Sequence, residues 1–175
     1  RFTQTDAGPG LALARVSRGL ALADYDNDGD VDLLVMNLNE APDLLHNVGQ
    51  SPHHWLGLRL RGRHGNRDAL GARVRLHAGG RVHFREVQRA VGYLSQSDPR
   101  LLFGLGDGTW VDSVAVRWPG GRRQVLRGLE IDRYHVVEEG VDEPVAAYAY
   151  TDRLEAPTES KSASATGSAA SSPAA

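Results

Sequence analysis

The chain has 175 residues, 41% of them apolar and 24% charged, with 20 Gly, 8 Pro and no Cys, a composition that fits one or two small folded domains. The lack of cysteine excludes disulfide scaffolds, thiolate zinc sites and cysteine nucleophiles, and the longest apolar run, the six residues Val145 to Tyr150, is far short of the roughly 20 that cross a bilayer as a helix. A formal net charge of −2 hides an asymmetry: Asp24, Asp26, Asp28, Asp30 and Asp32 fall within nine residues that hold no Arg or Lys, and the remainder of the chain sums to +3.

The first residue is Arg1, and the only methionine, Met36, sits inside an apolar stretch. The expectation is a piece of a longer protein, with any signal segment upstream.

From Gly19 the chain reads GLALADYDNDGDVDLLVMN: an apolar strand, carboxylates at every second position, then another apolar strand. Crowded carboxylates repel one another unless a cation sits among them. Calcium is a hard cation that takes roughly 6–8 oxygens at about 2.3–2.6 Å. Asp24, Asp26 and Asp28 can fold around one such ion, Gly29 allows the sharp turn, the Asp30 carbonyl can contribute, and Asp32 closes the shell. Magnesium suits so many carboxylates less well because it keeps its waters, and zinc prefers His or Cys, which the loop lacks. An EF-hand begins in the same way but ends on a bidentate Glu at its twelfth position between helices; here that position is Val35, within a strand-like run. The bland alternative is a solvated acidic turn.

Beyond the loop, apolar residues recur with a period close to two, so the fold is expected to be all-β. Leu56, Leu58 and Leu60 alternate with Gly57, Arg59 and Arg61; Ala72, Val74 and Leu76 alternate with arginines and His77; Val82 and Phe84 alternate with His83 and Arg85. Each run is expected to have a dry face and a wet one. Gly79-Gly80 supplies the positive φ angles of a tight hairpin between the second and third runs. Val114, Val116 and Trp118 lead through Pro119-Gly120-Gly121 into a return strand over residues 124–126, and a last strand is expected over residues 134–138. Trp118 continues an inward alternation, whereas Trp110 lies beside turn residues and is expected at the surface. Val141 to Glu155 reads as a linker, with a turn of helix at Ala146 to Tyr150, and the Ser/Ala-rich end of the chain is expected to be disordered.

The DYDNDGDVD loop between strands resembles the calcium loop of FG-GAP/VCBS β-propeller repeats. LLHNVGQSPHHWLGLRLRG, NRDALGARVRL, GYLSQS, FGLG and VAVRWPGG, in that order, resemble the ASPIC/UnbV domain of the cartilage acidic protein family and its bacterial relatives. The resemblance implies a terminal propeller-type repeat over residues 1–52, a small β-sandwich-like domain over residues 53–140 and a linker and tail over residues 141–175. It also implies an extracellular or periplasmic setting and assigns Asp24, Asp26, Asp28, Asp30 and Asp32 as calcium ligands. A propeller needs about 4–8 blades, so the others are expected before Arg1.

The remaining candidates are weaker. Ser95, Gln96 and Ser97 beside Tyr93 suit either a sugar or a strand end. Gly104, Gly106 and Gly108 miss the dinucleotide-binding spacing. His53 and His54, as neighbours on a strand, point to opposite faces and are assigned no metal. Between His53 and Glu139 there are 15 Arg against 9 acidic residues, with Arg59, Arg61, Arg73, Arg75 and Arg85 on expected outward faces, which suits an acidic glycan or protein partner or a plain solvated surface. No nucleic-acid motif, nucleophile elbow or spaced acid–base pair is present. The function expected is calcium-dependent recognition without catalysis in this chain; the alternative is an accessory portion of an enzyme whose site lies upstream.

Overall fold

The computed structural model describes residues 9–12, 14–49 and 52–143. The expected linker and tail from residue 144 onward, and the turn of helix at 146–150, lie outside them. The described residues form a 3-10 turn at Pro9–Leu11 and ten strands: β1 (Ser17–Ala23), β2 (Asp32–Asn37), β3 (Asp43–Leu45), β4 (His54–Arg61), β5 (Arg73–Ala78), β6 (Arg81–Glu86), β7 (Leu101–Gly106), β8 (Ser113–Arg117), β9 (Arg123–Leu126) and β10 (Tyr134–Glu138). The fold is all-β, in three open sheets ordered β1-β2-β3, β10-β4-β7 and β6-β5-β8-β9. No helix among the described residues is long and apolar enough to cross a membrane.

The second and third sheets share one apolar core. Leu56, Leu58, Leu60, Phe103 and Val137 from one meet Val74, Leu76, Val114, Val116 and Leu126 from the other, with Trp118 buried among them. Trp110 is 62% exposed. Both expected hairpins form, β5–β6 and β8–β9.

One face assignment is overturned. Val82 and Phe84 are more than half exposed, because the two-residue Gly79-Gly80 turn pairs Ala78 with Arg81 and so sets His83 opposite Leu76 and Phe84 opposite Arg75. Leu76 faces the core, so His83 shares its side and Phe84 takes the outer one; a register set by the turn overrides the apolar pattern of an edge strand. By the same register Arg85 stands opposite inward-facing Val74, not on the outer face beside Arg75, although it is exposed at the open edge. Strands β3 and β7 were not expected from the periodicity.

The β1-β2-β3 sheet has no such core. Leu20, Leu22, Leu34, Met36 and Leu44 are all at least 39% exposed, and the register puts Leu20 and Leu22 on one face with Leu34, Met36 and Leu44 on the other.

Candidate metal centre

The acidic loop joins β1 to β2 and lies on the outer face of the β10-β4-β7 sheet. Gly57 stands opposite Tyr134 on that face. The Tyr134 ring covers it so closely that a Cβ at Gly57 would come within 2.1 Å of the ring. The Trp55 indole packs at 5.2 Å from the Tyr134 ring centroid and lies against Gly29 of the loop, where a Cβ would fall 2.2 Å from Trp55 Nε1. Gly29 also has φ +93°, so it supplies both the turn expected from sequence and a flat seat for the indole.

The loop is held from the C-terminal side by polar bonds as well. Tyr134 donates its hydroxyl to Asp24 Oδ2 at 2.9 Å, and Gly29 N–H donates to the same oxygen at 3.0 Å. Arg100 sits over the Tyr134 ring, 4.1 Å from its centroid, and its guanidinium reaches the Asp24 carbonyl, the Asn27 side chain and Asp98. The segment before β7 closes the free edge of β1. Leu20 N–H donates to Ser95 Oγ at 3.0 Å and Leu22 N–H to Ser97 Oγ at 3.2 Å, while Asp98 N–H donates to the Leu22 carbonyl at 2.9 Å. Ser95 and Ser97 therefore dress a strand edge.

The five aspartates do not converge on one point. Asp24, Asp26 and Asp32 each bring a carboxylate oxygen within 4.8 Å of the other two; a second group with the same spacing comprises Asp26, Asp28 and His46; Asp30 joins neither. Asp24 and Asp32 are buried, each 3% exposed. Both Asp32 oxygens are engaged, by Tyr25 N–H at 3.1 Å and Asn47 N–H at 2.8 Å. Asp24 Oδ1 is buried and has no hydrogen-bond partner. Burial pushes the Asp24 carboxyl above the ordinary carboxylate value, against the opposing pull of Tyr134 and Gly29. Burial likewise raises the Tyr134 phenol far above its ordinary value, so its hydroxyl remains a donor.

The loop itself holds no His, but His46 reaches it from outside. It follows β3, and its Nε2 lies 2.8 Å from Asp26 Oδ2, with its ring edge-on to Tyr25 at 5.3 Å. Tyr134, Arg100 and Trp55 were missed for the same reason: each is remote in sequence from the loop, and only the pairing of β4 with β10 and β7 brings them beside it. Asp28 and Asp30 line a cleft of about 780 Å³ with Trp55, His53, His54 and Asp132. His53 and His54 each pair through Nδ1 with a carboxylate, Asp107 and Asp132 respectively, and neither joins a metal-spaced group among the described residues.

Cartilage acidic protein 1 of Mus musculus is 34% identical to this chain over 124 residues, covering 67% of this chain and 19% of its own length. The Homo sapiens protein of the same name is 33% identical over 124 residues, covering 67% and 18%. This chain thus spans about a fifth of the length of these relatives. Residues 62–144 match the ASPIC and UnbV family, which accounts for β5 to β10, including Arg100 and Tyr134, the two residues that grip the acidic loop.

Proposed function

We propose that this protein is a calcium-binding recognition module without catalysis of its own, extracellular or periplasmic, in which the acidic loop holds one ion beside the ASPIC/UnbV domain. The carrying observation is the buried, unpartnered Asp24 Oδ1. A buried carboxylate oxygen without a donor costs free energy, and a cation among Asp24, Asp26 and Asp32 supplies the missing partner and offsets the desolvation. An all-oxygen set suits a hard cation. Asp28 and His46 stand at the exposed side of the loop, and Asp30 contributes at most through its backbone.

The exposed apolar residues on both faces of the β1-β2-β3 sheet support a further reading: this sheet is one FG-GAP/VCBS-type blade of a larger β-propeller, whose neighbouring blades cover the two faces. The similarity to cartilage acidic protein 1 is in keeping with the extracellular setting.

Calorimetry with calcium, and thermal melts with calcium or chelator, test the ion. An ion that binds the folded state alone adds about 2.7 kcal/mol at one hundred times Kd. Asp26→Ala should abolish the response, and Asp43→Ala should spare it, since Asp43 pairs instead with Arg15 and Asn37. Equal melting temperatures with and without calcium, together with no binding heat, would dispose of the reading.

The outer face of the β6-β5-β8-β9 sheet supports recognition of an acidic glycan. Arg73, Arg117 and Arg123 stand in one cross-strand row, and Phe84, Arg75, Ala115 and Val125 form the next. Arg73 pairs with Glu86, whereas Arg75, Arg117 and Arg123 form no ion pair among the described residues. A row of Arg side chains on neighbouring strands about 4.8 Å apart beside exposed apolar side chains matches a linear polymer carrying sulfate or carboxylate groups. Binding of a sulfated polysaccharide at low salt, weakened in Arg117→Ala and Arg123→Ala and by rising ionic strength, is the expected result. Binding unaffected by both changes would remove this face from the account.

A further inference from the structure

We infer that Tyr134 and Arg100 are positioning residues for the loop cation, and that through them ion binding and docking of the loop onto the ASPIC/UnbV domain are one coupled event. This rests on the calcium reading above. The observation behind it is the division of labour on Asp24. One oxygen, Oδ2, receives two donors, the Tyr134 hydroxyl and Gly29 N–H, and the other is buried with no hydrogen-bond partner. Two donors on one oxygen fix the carboxylate plane, so that the second oxygen is held in a set orientation, where on the calcium reading it meets the ion together with Asp26 and Asp32. Arg100 fixes the backbone of the same residue through the Asp24 carbonyl and the side chain of Asn27. Asn27 itself has φ +64°, in the left-handed region that asparagine adopts more readily than other non-glycine residues.

The aromatic contacts make Tyr134 more than a hydrogen-bond donor. Its ring fills the space over Gly57, carries Arg100 on its face and abuts Trp55, which in turn lies on Gly29. A displacement of β10 therefore reaches the loop at Asp24 and at Gly29 together. By linkage, whatever the docked loop adds to ion affinity, the bound ion adds to docking.

The test uses the full chain. Tyr134→Phe keeps the ring, its seat on Gly57 and the contact with Arg100, and deletes only the hydroxyl. Loss of an outer-shell hydrogen bond of this kind lowers metal affinity about 10–100-fold. The expected result is a calcium Kd raised by that factor in calorimetry, with a larger fall in melting temperature in calcium than in chelator. Amide exchange gives the reciprocal readout: calcium should slow exchange at Leu20 and Leu22, whose amides bond Ser95 and Ser97, in the unsubstituted chain and much less in Tyr134→Phe. Arg100→Lys, which keeps the charge but cannot span Asp24, Asn27 and Asp98 at once, should raise Kd similarly. Calcium affinity within twofold of the unsubstituted chain in both variants, with exchange at Leu20 and Leu22 still slowed by the ion, overturns the coupling alone. An unsubstituted chain that binds no calcium overturns the calcium reading and this proposal with it.

Discussion

The Tyr134 hydroxyl reaches Asp24 Oδ2 at 2.9 Å across 110 positions of sequence, so the last strand of the fold grips the loop that follows the first. Strand β10 runs parallel to β4 with Tyr134 beside Gly57, and β4 presents Trp55 to the same loop. Three residues that share no local motif thus form one docking surface, and each can be disturbed separately.

Gly29→Ala should undock the Trp55 indole. A Cβ there would fall 2.2 Å from Nε1, and φ +93° adds strain of order 1–3 kcal/mol for any other residue. Gly65, with φ +98° and open space around it, is the control: Gly65→Ala carries the strain without the clash. The Trp55 indole N–H resonance is expected to shift in Gly29→Ala alone, with the larger fall in melting temperature in that variant. Identical behaviour of the two variants would mean that the indole seat contributes nothing.

Glu139 predicts a pH dependence. Its Oε2 accepts Arg63 N–H and His64 N–H, each at 3.0 Å, and the His64 bond, ahead of the opposing effect of burial, holds its carboxyl below the ordinary value. A carboxylate with a depressed native pKa contributes stability that is complete above its unfolded pKa and lost as pH falls through the native one. Glu139→Gln should therefore cost about 1–2 kcal/mol at pH 7, the share of a charge-assisted bond, and progressively less below the unfolded value of roughly 4.3. Denaturant unfolding of both proteins at pH 7 and pH 3 checks this, and an equal cost at the two pH values would rule out the charge as the cause.

The sequence was most legible where short range decides. The Gly79-Gly80 hairpin, the alternation in β4, β5 and β8, and the burial of Trp118 all follow from periods and turns within a few residues. Phe84 shows the limit: its apolar character suggests the core, but the register imposed by the turn turns it outward. The five aspartates marked the loop, yet their partition into two groups depends on His46 arriving after β3 and on Asp24 being drawn toward Tyr134. Strand β7 was illegible because Leu102 and the glycines Gly104 and Gly106 obscure a period carried by Leu101, Phe103 and Leu105.

Ser95 and Ser97 should matter through the edge of β1. Removing both hydroxyls leaves Leu20 and Leu22 N–H without protein partners, at a cost of about 0.5–1.5 kcal/mol each where water can replace the bond. Amide exchange in Ser95→Ala/Ser97→Ala should accelerate at Leu20 and Leu22 while Leu34 and Val35, on the central strand of that sheet, keep their protection. Unchanged exchange at Leu20 and Leu22 would show that the serines do not cap the strand.

The buried pair Trp118 and Gln124 gives the sharpest energetic test, because its partners are unequal. Trp118 Nε1–H donates to Gln124 Oε1 at 3.0 Å, and that oxygen also accepts Gly140 N–H at 3.0 Å. Gln124 Nε2 donates to the Glu138 carbonyl at 3.2 Å and to the Val141 carbonyl, so one amide ties β9 to the exit of β10. Trp118→Phe removes one donor, and Gln124 Oε1 keeps the other; its cost is the lost bond plus some packing, about 1–3 kcal/mol. Gln124→Leu has nearly the same volume but strands the indole N–H and Gly140 N–H and takes the side-chain donor from the Val141 carbonyl, while the Glu138 carbonyl keeps Val141 N–H; each unpaired group costs about 1–3 kcal/mol where water cannot reach it. Gln124→Leu should therefore be the more destabilising variant although it is the smaller change in the apolar core, and the double variant should cost less than the sum of the two. Urea unfolding of the three variants decides it: a smaller loss for Gln124→Leu than for Trp118→Phe would mean that packing of the indole, and not the amide network, holds the end of β10.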